Sequence, residues 1–338
     1  LAHLTRADGF LLSASYFPLW WNSNRNTKPL FAVLSGYLLV MLPWFARNVL
    51  AFGAPLVGGG ALFMRTYDDL FSYETPLTFD YWLAGGADHI AATMLRALTL
   101  NVETLAGALC FIWFPFVLIA LWRERMRVVV QSAVVYLLVL LFVASFVLSL
   151  PGPRGLFLHS LSASLPLLYA LAPVGLSAVV AWIARRRAAW NATQAERIFG
   201  AAFVVMALLM STYFYAVNII GSEAQPPWNQ RFVVYRPVDE FLRREMRDAL
   251  SPVMVINPPA FTYFNQRAAL AIPSDDPLAL VRAAAQFGAH YVVIESDHPR
   301  HLDMLYDFSV TDQRFQLRAT FTDATGAQVQ LYQIVPLR

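Results

Sequence analysis

The side chains best suited to chemistry are few, and most stand beside apolar runs. Arg6 and Asp8 lie in Leu4-Thr5-Arg6-Ala7-Asp8-Gly9, just ahead of one run; Arg154 and His159 follow Pro151-Gly152-Pro153 at the start of another. An arginine fork matches two oxygens of a phosphate, and a histidine in a first helical turn shares the amides that favour anions. Arg6, Arg154 and His159 are therefore the candidates for holding a phosphate. The competing reading makes Arg6 an interfacial anchor paired with Asp8, and Arg154 a snorkelling residue in a tight turn. A second group, Arg65, Tyr67, Asp68 and Asp69, interleaves with Phe63, Met64, Leu70, Phe71 and Tyr73 as in a segment lying on a membrane surface. With Asp8 it offers contacts to a sugar or acceptor, and the paired carboxylates leave a divalent metal open; adjacent acids in an exposed loop also read as simply solvated. No metal site is assigned. His89 has only Asp88 beside it, facing another way on a helix, and His298 and His301 read as a surface helix start. Cys110 is the single cysteine, which excludes a disulfide scaffold or a cysteine metal cluster.

The elements that must position these groups are mostly membrane helices. Of the 338 residues 58% are hydrophobic and 14% charged, against roughly 25% charged in soluble domains. The net charge of +3 is too balanced to imply a nucleic-acid partner. Residues 223–338 carry about twice the charge density of residues 1–222, which divides the chain into a transmembrane region (1–222) and a soluble domain (223–338). Six apolar windows are candidates to span a bilayer: Phe10 to Trp21, which is short unless it begins near Leu1, Leu30 to Ala46, Leu105 to Trp122, Val128 to Leu150, Leu158 to Ala184 and Ile198 to Ile220. Alternating crossings put the short basic connections on one side, with Arg25 and Lys28, then Arg123, Arg125 and Arg127, then Arg185, Arg186, Arg187 and Arg197. Lysine and arginine resist translocation, so that side is the cytoplasm. The loop at about 47–100, the 151–158 turn and the soluble domain are then expected outside a plasma membrane.

Past Trp228 the period changes. Short β-branched runs at Val253 to Ile256, Ala268 to Ile272 and Tyr291 to Glu295 alternate with helical patterns at Val238 to Leu250, Pro277 to Phe287 and Pro299 to Phe308. Asp276 suits an N-cap and Gly288 a helix stop. Phe315 to Thr322 and Gln328 to Val335 read as a hairpin. The expected fold is thus mainly α, a polytopic helical bundle followed by a small α/β domain. The Asn257-Pro258-Pro259 turn lacks the amides of a phosphate loop.

These residues resemble a family. Leu4-Thr5-Arg6-Ala7-Asp8-Gly9, Pro43-Trp44-Phe45-Ala46-Arg47-Asn48 followed by Phe52-Gly53-Ala54-Pro55, Tyr67-Asp68-Asp69-Leu70-Phe71, and Arg154 to Pro166 look like polytopic bacterial glycosyltransferases of the GT-C class. That class includes protein mannosyltransferases and enzymes that move aminoarabinose onto lipid A. The resemblance implies transfer of a sugar from a polyprenyl-phosphate carrier to a lipid, glycan or protein acceptor at the outer face, with an Asp of the first external loop as the catalytic group. The sequence opens at Leu1, with neither Met nor a signal peptide, so the catalytic Asp is expected upstream, and the catalytic residue stays unassigned. Arg6, Arg154 and His159 would then face the carrier phosphate. Two rival classes remain. A transporter would carry ionisable residues in mid-helix and internal repeats; a non-enzymatic anchor would present the α/β domain to a partner.

Overall fold

The computed structural model describes residues 7–22, 27–53, 62–148, 156–187, 189–220, 227–246, 248, 250–308 and 312–335. The chain is mainly helical, 68% helix, with one small sheet, and divides into two units. The first comprises Leu1–Arg65 and Leu77–Met206, the second Thr66–Pro76 and Ala207–Arg338.

Among the described residues, four helices are long and apolar enough to cross a membrane: Lys28–Phe52, Val128–Val147, Leu165–Arg186 and Ala192–Val217. Two of the six apolar windows take other forms. Residues Ala7–Tyr16 form a 3-10 helix that passes into the short α-helix Phe17–Asn22. Ser13 and Ser15 hydroxyls donate to Phe10 and Leu12 carbonyls at 2.6 Å, taking up acceptors within the segment. It packs against Val128–Phe142 and ends where Asn22 Nδ2 donates to Gln131 Oε1 at 3.0 Å. The Leu105 to Trp122 window is interrupted. Ala87–Ala108 stops and Phe114–Arg123 begins after a turn in which Cys110 and Phe111 both hold positive φ, 53° and 56°. Pro115 suits the first turn of the second helix, because a proline lacks the amide that would go unpaired there anyway. Hydropathy sees side chains only, so it cannot register such a break.

The helices Phe114–Arg123 and Leu165–Arg186 pack closely. A Cβ on Gly175 would stand 1.8 Å from the Phe116 carbonyl oxygen. Small residues let backbones meet where lipid offers no hydrophobic drive between helices. Gly175→Leu is therefore expected to cost about 3 kcal/mol or more by overpacking, read as loss of the monodisperse peak in detergent; an unchanged profile would contradict the contact. The Val128–Phe142 helix finishes in a π-helical turn, Val143–Val147, where Leu148 N donates to Val143 O at 2.9 Å.

The second unit holds the sheet, in the order β2-β1-β3-β5-β4. Strands β1 (Val253–Val255), β2 (Ala269–Ala271) and β3 (Tyr291–Ile294) run parallel; β4 (Phe315–Thr322) and β5 (Gln328–Ile334) add an antiparallel hairpin. Alternate residues face opposite layers. Met254, Val292 and Ile294 pack with Leu280, Val281 and Ala284 of helix Pro277–Phe287. Val253, Val255, Tyr291 and Val293 pack with Tyr235, Val238 and Leu242 of helix Tyr235–Arg244, and with Phe261. Both faces are covered, which is why these strands read as unbroken apolar runs.

The caps follow the residue types. Asp276 Oδ1 accepts from Ala279 N at 2.6 Å, and Gly288 takes φ 69° beyond the helix end. Asn257 opens a helix, Pro258–Asn265, where a bare turn was expected. The helix expected over Val238 to Leu250 instead runs Tyr235–Arg244, because the chain beyond it turns back and Asp248 N donates to Leu242 O at 3.0 Å. Asp248 then meets Arg267, whose side chain is 1% exposed. Arg267 donates to Asp239 at 2.8 Å, Asp248 at 2.9 Å and the Ser251 carbonyl at 2.8 Å.

Candidate functional site

The Tyr67–Phe71 turn and the strand edge of the α/β domain form one structure. Tyr67–Phe71 is a single 3-10 turn with Thr66 at its N-cap. Asp69 Oδ2 accepts from Thr66 N at 3.2 Å, so one of the two predicted acids is spent on the turn itself, while Asp68 stands exposed. The next residues bind across some 200 positions of sequence. Asp275 Oδ2 accepts from Tyr73 N at 2.6 Å, and its Oδ1 accepts from Thr75 N at 3.0 Å and Thr75 Oγ1 at 2.6 Å. Tyr73 Oη donates to Ala271 O at 3.0 Å, and Arg282 Nε donates to Glu74 Oε1 at 2.5 Å. Burial pushes the Asp275 carboxyl up, but hydrogen bonds from Thr75, Tyr73 and Glu74 outweigh it and hold the group below the ordinary range. Tyr73, at the end of the segment expected to lie on a membrane surface, thus gives its backbone amide to the α/β domain, as do Glu74 and Thr75 after it.

Asp275→Ala is expected to release residues 72–76 and raise their hydrogen exchange by roughly ten-fold or more, since it strands several donors together. Arg282→Ala should have a much smaller effect, because its pair with Glu74 is solvent-exposed. Equal effects would contradict the role given to Asp275.

In open α/β sheets, ligands collect outside the carboxyl ends of parallel strands where the strand order reverses. Here that point lies between β1 and β3, since β2 lies on one side of β1 and β3 on the other. Asn257 follows β1, Asp275 and Asp276 follow β2, and Glu295, Asp297 and His298 follow β3. Glu295 is 2% exposed and accepts a short hydrogen bond from Tyr235 Oη. Burial, with Asp297 adding to it against the opposing pull of Tyr235 and Arg231, raises its carboxyl to about 7. Burial first, and then Glu295, push the Tyr235 phenol upward as well. The phenol keeps its proton while the Glu295 carboxyl changes charge around neutral pH, which suits proton exchange with a ligand or a pH-sensitive packing contact. Arg231 pairs with Asp297, and His298 Nε2 lies 3.1 Å from Asp303 Oδ1 while its ring lies tilted against that of Tyr306, centroids 4.5 Å apart. Sequence reading passed over Glu295 as the end of a strand; an acid straight after a buried β-run was the available signal.

The other predicted residues fall as follows. Arg6, Arg154 and the side chains of Asp8 and Tyr67 lie outside the described residues. His159 is exposed on Leu156–Leu161. Arg65 stacks on the Tyr81 ring, 3.9 Å from its centroid, and Arg65 Nε donates to Tyr81 O at 2.6 Å. With Met64, Trp82, His89, Ile90 and Thr93 it lines a cleft of about one water's size. Arg65 and His89 therefore share a site that their spacing did not announce. Among the described residues no three of His, Cys, Asp and Glu gather as metal ligands. No protein-family profile, curated protein or solved structure matches this chain.

Proposed function

We propose that this chain is the carrier-binding and external part of a GT-C class membrane glycosyltransferase, which moves a sugar from a polyprenyl-phosphate donor to an acceptor at the outer face. The observation that carries the reading is the seating of Thr66–Pro76 in the α/β domain. Residues bonded together lie on one side of a membrane, so the chain between 76 and 227 crosses an even number of times. Three long apolar helices lie in that interval, Val128–Val147, Leu165–Arg186 and Ala192–Val217. A fourth crossing is required, and the interrupted stretch 105–122 supplies it.

Length favours the first window as a further crossing. Ten 3-10 residues at about 2.0 Å each and six α-helical ones at about 1.5 Å reach roughly 30 Å, a full hydrocarbon core. Six crossings leave Arg123, Arg125, Arg127 and Arg185 to Arg187 in the cytoplasm, and the 66–76 turn with the α/β domain outside. On that face the resemblance to the GT-C class gives the parts their work. Arg6, Arg154 and His159 bind the carrier phosphate and offset its charge as the sugar leaves. By the same resemblance Asp8, Arg65, Tyr67, Asp68 and Asp69 are the proposed contacts to sugar or acceptor.

The test uses the full-length gene product in membranes, supplied with radiolabelled polyprenyl-phosphate sugars. Label is expected in an acceptor, and Arg154→Ala or His159→Ala is expected to weaken carrier binding. No transfer with any donor, together with unchanged binding in both variants, would overturn the proposal.

A further inference from the structure

The helical unit buries one polar pair completely. Asn101 of Ala87–Ala108 and Ser145 of the π-helical turn are both 0% exposed, and Asn101 Nδ2 donates to Ser145 Oγ at 3.1 Å. Asn101 Oδ1 has no partner. Trp113, Ser132, Trp190 and His301 also leave a polar atom unpaired, but those residues are only partly buried. Among the described residues Asn101 alone combines a wholly buried side chain with an unmatched hydrogen-bonding atom. Such a group costs stability unless something fills it, and its partner Ser145 lies in Val128–Val147, a helix apolar enough to cross a membrane, where polar side chains mark ligand paths. The neighbouring turn is irregular in the manner often found at functional sites: its bond spans five residues, from Leu148 N to Val143 O.

We propose that Asn101 and Ser145 form a subsite for a neutral hydroxyl, that of the sugar on the lipid-linked donor; this rests on the function proposed above. A hydroxyl both gives and accepts a hydrogen bond, so it satisfies the planar amide whichever way the amide is turned. A phosphate oxygen brings only lone pairs and leaves Oδ1 unpaired in the orientation seen, whereas a hydroxyl serves either orientation. The location agrees. Tyr136 Oη, on the helix that ends in the π turn, donates to Ser160 O at 2.8 Å. That bond joins the helix to Leu156–Leu161, the helix carrying His159, and Ala87–Ala108 packs on both the π turn and Leu156–Leu161. The hydroxyl subsite therefore lies at the end of the bundle that holds one of the proposed phosphate ligands, as the two parts of a sugar phosphate require. A single ordered water is the other source of the same chemistry.

The full-length protein in lipid nanodiscs separates these cases by thermal shift, with bare polyprenyl phosphate and a polyprenyl-phosphate hexose as the two probes. Wild type is expected to be stabilised more by the glycosylated carrier than by the bare one. In the Asn101→Leu, Ser145→Ala double variant the unliganded midpoint should be equal or higher. Its sugar-dependent increment should vanish, with hexose-carrier affinity about ten-fold weaker and the bare-carrier shift retained. An increment that survives in the variant overturns the proposal and leaves a water site. Equal shifts by both probes in wild type overturn it while the carrier-binding reading stands; no shift by either removes that reading as well. Should the double variant fail to fold, Ser145→Ala alone gives the same readout, and an unchanged increment there overturns the proposal.

Discussion

Arg267→Ala is expected to unfold the α/β domain locally, at a cost of about 3–5 kcal/mol. The guanidinium is almost fully enclosed and is shared by Asp239 and Asp248, themselves mostly buried. Removing the cation leaves two carboxylates facing each other in a poor solvent, with Arg243 still pairing Asp239 from the surface side. The loss is larger than any single bond because three segments meet at Arg267: the helix Tyr235–Arg244, the Asp248–Ser251 turn and the approach to β2. Hydrogen exchange of the β1 and β3 amides in the full chain measures it, with about a hundred-fold loss of protection for the lower bound of that cost. Arg267→Lys should recover part of it, since an ammonium restores charge but not the forked geometry. Full protection in Arg267→Ala would refute the assignment.

The second large effect is a pH dependence centred on Glu295. Its folded-state carboxyl titrates near 7, above the ordinary 4.5. A raised acid favours the protonated form in the folded state, so stability is greatest below about 4.5 and falls as pH rises toward and through 7. The full span is about 3 kcal/mol. Glu295→Gln keeps a neutral group able to accept from Tyr235 and should abolish that slope. It should leave the domain more stable than wild type at pH 8 and little changed at pH 4. A slope that persists in the variant would assign the dependence to other groups.

Much of the α/β domain was legible in the sequence because its signals are local. β-branched runs marked the strands, and Asp276 and Gly288 bracketed their helix by side-chain chemistry alone. The helix at Pro258–Asn265 was missed because Asn257-Pro258-Pro259 reads equally as a turn; what decides is Asn257 accepting from Ala260 N at 3.2 Å. The apolar windows were legible as material and not as shape. Nothing in Leu105 to Trp122 announces two positive-φ residues, and nothing in Phe10 to Trp21 announces a 3-10 helix, whose longer rise lets a short run reach further. The candidate site was the least legible part. Tyr73 and Thr75 find their acceptor in Asp275, and Tyr235 finds its own in Glu295 sixty residues on. Such pairings exist only once the sheet has brought its strand ends together. Arg65 and His89 meet for a related reason, through the helix starts that follow Thr78 and Gly86.

The proposed outward face rests on the crossing count, and cysteine accessibility measures that count directly. In a Cys110→Ala background, Asp68→Cys, Arg125→Cys, Arg186→Cys and Met304→Cys each add one thiol at an exposed position. With a membrane-impermeant maleimide on intact cells, the thiols at 68 and 304 are expected to react, and those at 125 and 186 only after permeabilisation. Reaction of 68 and 304 from opposite sides, or of 125 from the same side as 68, would contradict the account.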